Sequence, residues 1–324
     1  MSRRDRTWGY WTEQKLGMLA EYLPAFTTAS QRARTTLYLD LFAGDVANTS
    51  RVTGEEIDGS PRVALNATPP LSVVRLFELP GQAERLEAQL HAEYPGRDLK
   101  VYAGDCNQTI DQALADLAQY NWAPTFALVD QYAAEIRWDT LAKLAAFKRL
   151  GKPKVELWLL FAASMLPRGL GGDDFDAIEA FADRITEMYG TQDWREAYEG
   201  RVGGLLSGGE LRDELANLMR WRIENDLGYS VTHSFEMRNT RGTPLYSMIF
   251  ATDHDAGNKI MRHIYGRAAE RQPQMRAEAV ARAKAAREAR EGKLALFEPL
   301  VPQVKATDLY VHIPPNEPYR LPDK

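Results

Sequence analysis

The stretch TTLYLDLFAGDVANTS, residues 35–50, runs from apolar residues into a turn. Its first part, LYLDLF at 37–42, is short, apolar and β-prone, and reads as a buried strand. It carries one acidic residue, Asp40, and Gly44 supplies the turn that follows. Many nucleotide-binding α/β proteins begin with a strand and turn of this kind and carry a second glycine two residues further on. Here that place holds Val46.

Ahead of this stretch, WTEQKLGMLAEYLPAF at 11–26 sets Trp11, Leu16, Leu19, Tyr22 and Leu23 at helical spacing, with Thr12 as N-cap before Glu13. Behind it, GSPRVALNA at 59–67 starts a helix with Ser60 as cap and Pro61 in the first helical position. Strands and helices then alternate, with strands at 72–78, 99–105, 124–130 and 154–161 and helices at 81–94, 108–120 and 138–150. Such alternation implies right-handed βαβ units and a parallel sheet covered on both faces. After 161 three helical stretches come in a row, at about 174–189, 191–200 and 209–227. YSVTHSFEMR at 229–238 and PLYSMIFAT at 244–252 flank a turn favoured by Asn239 and Gly242, and read as an antiparallel hairpin. Residues 254–291 read as a charged helix and the Pro-rich tail from 297 as extended chain packed on the body.

The expected fold is therefore α/β, a Rossmann-like class I methyltransferase fold. Its mostly parallel seven-stranded sheet has the order 3-2-1-4-5-7-6, with helical additions. The expected organisation is an N-terminal helical segment at 1–34, a Rossmann-like domain at 35–265 with a helical insertion at about 165–228, and a charged helix with Pro-rich tail at 266–324.

Composition sets outer bounds. The chain has 324 residues, 44% hydrophobic and 26% charged, so a sizeable core can be buried. A net charge of −5 argues against a constitutive nucleic-acid coat protein. The single cysteine, Cys106, excludes an intrachain disulfide framework and a cysteine-based zinc cage, and the five histidines show no HExxH-type spacing, so no metal site is expected. No signal peptide is visible, and no apolar run reaches the roughly 18 residues of a membrane span. A cytoplasmic protein without membrane contact is expected.

In open parallel sheets ligands bind beyond the carboxyl ends of the strands, where strand order reverses. The first tip offers Asp40, Phe42, Ala43 and Gly44, the second Glu78, the third Asp105 and Cys106, and the fourth Asp130, Gln131, Tyr132 and Ala133. S-adenosylmethionine needs a close backbone approach, met by Gly44. It also needs an acceptor for the ribose hydroxyls, met by Glu78, and one for the adenine amine, met by Asp105. Asp40, Phe42, Ala43 and Cys106 complete the expected cofactor set. A strand-end carboxylate also serves as a helix cap, but three at successive tips of one sheet favour binding. A dinucleotide sets its pyrophosphate on glycine backbone at a helix N-terminus, so the lone glycine and the terminal hairpin make an NAD-type oxidoreductase the weaker alternative.

VDQYA at 129–133 is the candidate catalytic tip. Asp130 would accept a hydrogen bond from a target amine and the Tyr132 ring would stack on a flat base, as in amino-directed methyltransferases. Equally open at this point, Asp130 caps the next helix and Tyr132 packs on the sheet edge. Gln14 and Lys15 read as a solvated helix face rather than as cleft residues, and Cys106 as a small hydrophobe rather than a nucleophile.

The chain resembles the three-Cys-motif partner proteins, TcmP. The likeness runs almost end to end: WTEQKLGML at 11–19, YLDLFAG at 38–44, GSPRVAL at 59–65, GDCN at 104–107, LVDQYA at 128–133 followed by Trp138, YGTQDWRE at 189–196, and RNTRGTPLYSMIFATDHDAGNKIM at 238–261. The last block is the longest and most specific. The resemblance implies a Rossmann-fold, S-adenosylmethionine-dependent methyltransferase and, as partner, a three-Cys-motif protein that itself looks like a radical S-adenosylmethionine enzyme. The acceptor, read from the VDQYA tip and not from the resemblance, would be a nucleic acid or a nucleobase-like small molecule. Two departures stand out: LFAGDV at 41–46 where other members read LFAGPG, and DQYA at 130–133 where others read like DPFG. They leave room for the alternative of a catalytically inactive partner or binding protein that keeps the fold.

Overall fold

The strand inside the opening stretch, β1 (Leu37–Asp40), is buried along its whole length. It has a strand on each edge and helices on each face. In the computed structural model, which describes residues 8–51, 53–170, 175–291, 303–304 and 309–322, the chain begins with helix α1 (Tyr10–Ala29). After β1 comes a small antiparallel ribbon apart from the main sheet, β2 (Ala47–Thr49) and β3 (Glu56–Asp58), and then α2 (Ser60–Leu65). The alternating section follows: β4 (Val73–Glu78), α3 (Gln82–Glu93), β5 (Asp98–Ala103), α4 (Cys106–Asp116), β6 (Thr125–Val129), α5 (Trp138–Ala146) and β7 (Glu156–Phe161). Four helices, α6 (Leu166–Gly169), α7 (Phe175–Tyr189), α8 (Trp194–Val202) and α9 (Gly208–Asn225), precede the hairpin of β8 (Val231–Arg238) and β9 (Pro244–Thr252). Last is the 36-residue α10 (Asp255–Arg290), which runs without a break through residue 265.

The seven-stranded sheet has the order β5-β4-β1-β6-β7-β9-β8. Counted within the sheet alone this is 3-2-1-4-5-7-6, as the sequence predicts. β1 pairs in parallel with β4 and β6, and β9 runs antiparallel to both of its neighbours, β7 and β8. The arrangement is that of a Rossmann-like methyltransferase.

Strand alternation sends successive side chains to two cores. Leu37 and Leu39 of β1 and Leu157 and Leu159 of β7 meet Ile110 of α4, Leu141 of α5, Ile185 of α7 and Leu215 of α9. Tyr38, Trp158 and Leu160 face the other way, onto Leu19 and Tyr22 of α1, Leu86 of α3 and Tyr265 of α10. Polar links fasten this second face. The Trp158 indole N–H donates to the Tyr265 hydroxyl at 2.8 Å, which donates in turn to the Met248 carbonyl at 2.8 Å. The Tyr22 hydroxyl donates to Glu156 Oε2 at 2.6 Å.

Two helix starts differ from the sequence reading. α1 begins at Tyr10 with Gly9 as N-cap, so Thr12 lies inside the helix. A Cβ on residue 9 would stand 2.5 Å from the Trp11 ring, which leaves that place to glycine. α2 is capped by Gly59, not by Ser60. The Gly59 N–H donates to the Val46 carbonyl at 2.6 Å, and a Cβ there would lie 2.1 Å from the Asp45 carbonyl. Lack of room for a Cβ, against a side-chain ring at Gly9 and against backbone at Gly59, outweighs a side-chain cap at both positions. Val46 itself packs into the Tyr38-side core.

The tail residues 309–322 have no regular structure and lie on the body. The Tyr310 hydroxyl meets His233 Nδ1 at 2.8 Å, and Arg320 pairs with Asp193 at 3.1 Å. Among the described residues no helix is long and apolar enough to cross a membrane.

Glu156 makes this packing pH-sensitive. Burial pushes its carboxyl from 4.5 up to about 7, against the hydrogen bonds from Tyr22 and Thr252 that favour the charged form. The folded chain therefore binds more protons than the unfolded chain between about pH 4.5 and 7. This share of stability is complete below that window and is lost as pH rises through it. Asp40, raised from 3.8 to about 7 chiefly by burial, acts in the same direction. Glu156→Gln should flatten the fall of melting temperature between pH 5 and 8, leaving the Asp40 share. An unchanged slope would show that Glu156 ionises in the fold as it does in water.

Candidate functional site

At the carboxyl ends of β1, β4, β5 and β6 lies a cleft of about 690 Å³. It sits where the sheet order reverses, with β4 on one side of β1 and β6 on the other. Each tip contributes a turn whose polar groups are fixed by neighbouring backbone or side chains.

At the first tip Gly44 has φ of +67°, and nothing lies within 4 Å of where its Cβ would be. Its N–H donates to Glu78 Oε2 at 2.8 Å, while the Leu79 N–H donates to Glu78 Oε1 at 2.8 Å. The Glu78 carboxylate thus binds the first two tips together at the cleft wall. Asp105 is the N-cap of α4, accepting from the Asn107 N–H at 2.9 Å and from its amide at 2.8 Å, and it also lines the cleft. Cap and cleft residue are here one side chain. Cys106 touches the cleft from below. Burial first, and the charge of Asp105 second, push its thiol up to about 12, so it is an inert wall group.

Two of the expected residues do not reach the cleft. Asp40 has no exposed surface: its carboxyl accepts from the Tyr38 hydroxyl at 3.0 Å and from the Phe42 N–H at 3.3 Å. Ala43 is buried in the Tyr38-side core. Both shape the turn from beneath, because the strand end dips under Phe42 and Gly44, which do line the cleft.

The fourth tip is built by Gln131, where a proline would stand in DPFG. Gln131 is buried. Its amide donates to the Leu160 carbonyl at 3.3 Å, and its Oε1 accepts from the N–H groups of Glu135 and Ile136 at 2.8 and 2.9 Å. Glu135 accepts from the Tyr132 N–H at 2.6 Å. Asn107 ties this loop to the third tip, donating to the Glu135 carbonyl at 2.8 Å and accepting from the Arg137 N–H at 2.9 Å. The loop so held presents Tyr132 with 72% of its surface exposed at the cleft.

Asp130 does not cap a helix, since α5 starts at Trp138 with Arg137 in the cap position. Its Oδ2 pairs with the Lys15 ammonium. The expected solvated face of α1 is therefore wrong on both counts. Lys15 is buried against Asp130, and Gln14 is buried against α10, where it donates to the Ala268 carbonyl at 3.1 Å. A tertiary partner on each side of α1 overrode local polarity.

Several cleft residues carry no signal in the sequence. Arg184 and Glu187 arrive on α7, and Trp8 from ahead of α1. Trp8 is anchored by its N–H on the Thr49 carbonyl at 2.9 Å. Arg137 pairs with Glu187 at 3.1 Å. Among the described residues no group of His, Cys, Asp or Glu side chains could hold a metal ion.

The chain matches no protein-family profile and no curated relative. Among solved structures it is similar to M. jannaschii TYW2 in complex with AdoMet, at 10% identity over 70% of this chain and 75% of that one, with a TM-score of 0.32. It is also similar to the methyltransferase domain of bacterial CtHen1-C, at 11% identity over 74% of this chain and 98% of that one, with a TM-score of 0.38.

Gln131→Leu keeps volume and removes the amide. It orphans the Glu135 and Ile136 N–H groups, at roughly 1–3 kcal/mol for each buried donor left unpaired. Urea denaturation should show that loss. Stability equal to the parent would mean that the loop stands without Gln131.

Proposed function

We propose that the cleft binds S-adenosylmethionine across the tips of β1, β4 and β5, and that the chain transfers its methyl group to an amine of a nucleobase or another planar acceptor. The observation that carries this reading is Glu78. Its carboxylate is held by two backbone N–H groups beside an open glycine backbone, at the switch point of the sheet. An acceptor preorganised in this way suits a ribose diol, and Asp105, held on its own helix cap, suits the adenine amine. The β2–β3 ribbon separates β1 from α2, and Val46 turns a side chain into the core. No helix N-terminus directly after β1 is left to seat a pyrophosphate, which favours a cofactor without one.

Bound there, S-adenosylmethionine supplies an electrophilic methyl group. The protein's own task is placement, which can supply much of the rate of an in-line transfer. Lys15 fixes Asp130 through Oδ2, leaving Oδ1 to accept from the acceptor's N–H. Tyr132 offers an exposed ring on which a flat base can stack. The resemblance to TcmP supports the same reading and adds a three-Cys-motif, radical S-adenosylmethionine-like protein as partner.

One observation favours a second reading, a partner protein that holds the cofactor without turnover. Lys15 already neutralises the carboxylate that an acceptor amine would need.

Calorimetric titration with S-adenosylmethionine, S-adenosylhomocysteine and NAD tests the cofactor, and transfer of labelled methyl to DNA, RNA or a cell extract tests turnover. Glu78→Ala should weaken cofactor binding by roughly 1.5–3 kcal/mol. If Glu78→Ala and Asp105→Ala both bind as the parent does, the cofactor site is elsewhere. Asp130→Ala and Lys15→Met should both lower transfer with cofactor affinity nearly unchanged. A parent chain that binds the cofactor and labels none of these acceptors supports the second reading.

A further inference from the structure

A second cavity, of about 390 Å³, opens at the opposite end of the sheet. It lies at the amino ends of β6 and β7, on the order of 15–20 Å from the cleft along a five-residue strand. Its volume falls within the range of small-molecule sites. Three elements bring cations to it: Arg32 from the turn after α1, Lys148 and Lys152 from the segment after α5, and Lys154 just before β7.

These charges are poorly matched by the protein. Lys154 stands 3.6 Å from Asp253. Among the described residues, no carboxylate lies within ion-pairing distance of Arg32, Lys148 or Lys152. Lys148 donates instead to neutral oxygens, the Ala123 carbonyl and Thr125 Oγ1, the latter at 2.8 Å. Among the described residues the one carboxyl in the wall is Glu156, already engaged by Tyr22 and Thr252 and held by burial toward its neutral form. Burial, with the charge of Lys152 behind it, pulls Lys148 down to about 7, the mark of an ammonium without its counter-charge. The first turn of α10 adds to the imbalance: Ala256 and Gly257 line the cavity at the positive end of the 36-residue helix. Between the cations the wall is apolar and partly aromatic, with Phe26, Trp122, Pro124 and Ile260.

We propose that this cavity binds a small organic anion, a phosphate or like group carried on an apolar ring, as in a nucleoside monophosphate. The anionic group meets Lys148, Lys152 and Arg32, and the ring lies on the apolar wall. The site is separate from the cleft and does not depend on the methyltransferase reading.

The test is calorimetric titration of the full chain with AMP, adenosine and inorganic phosphate. AMP should bind at least tenfold more tightly than either fragment. Lys148→Met and Lys152→Ala should each weaken AMP at least tenfold. Lys152 is exposed, so its variant tests the site even where Lys148→Met does not fold. No saturable AMP binding overturns the proposal, as does AMP affinity that neither lysine variant changes. Phosphate bound as tightly as AMP overturns the assigned ligand class, because the apolar wall would then contribute nothing.

Discussion

A carboxyl without access to water governs the working end of this fold. Asp40 ends the central strand, which is walled on both faces and paired on both edges, so its polar atoms must be satisfied from inside. The Tyr38 hydroxyl and the Phe42 N–H meet that demand. In doing so they fix the turn through residues 41–44, which aims the Gly44 N–H at Glu78. The charge of Asp130 adds to the burial that raises Asp40. Two neighbouring carboxyls are thus handled in different ways. The buried one is held toward its neutral form, and the one at the cleft is matched by Lys15.

How much of this was legible follows from the range of the forces involved. The sheet could be read because apolar runs of strand length, separated by helical periodicity, leave few alternatives once connections must be short and right-handed. The tips could be read because a strand end is a place in the sequence as well as in space. Gly9 and Gly59 could not be read as caps, since what demands glycine is an indole ring or a carbonyl pressed against the Cα. Lys15 and Gln14 looked solvated because nothing near them in sequence reveals that α10 and Asp130 close over α1. Arg184 and Glu187 come from an insertion whose docking onto the cleft leaves no local trace. Gln131 stood out as a departure from DPFG, but its part as a scaffold is visible only once its amide is seen to hold two N–H groups of its own loop.

The two ends of the sheet differ in charge. At the carboxyl end Asp45, Glu78, Asp105, Asp130, Glu135 and Glu187 outnumber Arg137, Arg184 and Lys15, and at the amino end Arg32, Lys148, Lys152 and Lys154 outnumber Glu156. An acidic cleft with low-dielectric walls favours a cationic guest, and a sulfonium is one. The same polarity discourages a pyrophosphate at the cleft, independently of the missing glycine at Val46.

Gln14 and Lys15 are neighbours, about 100° apart around α1. One is tied to the Ala268 carbonyl of α10 and the other to Asp130 in the cleft. A helix pinned at two angles on the same turn can neither roll nor slide without releasing one of its pins. α1 therefore joins the long outer helix to the fourth tip, and a shift of α10 that carried α1 with it would strain the Lys15–Asp130 pair.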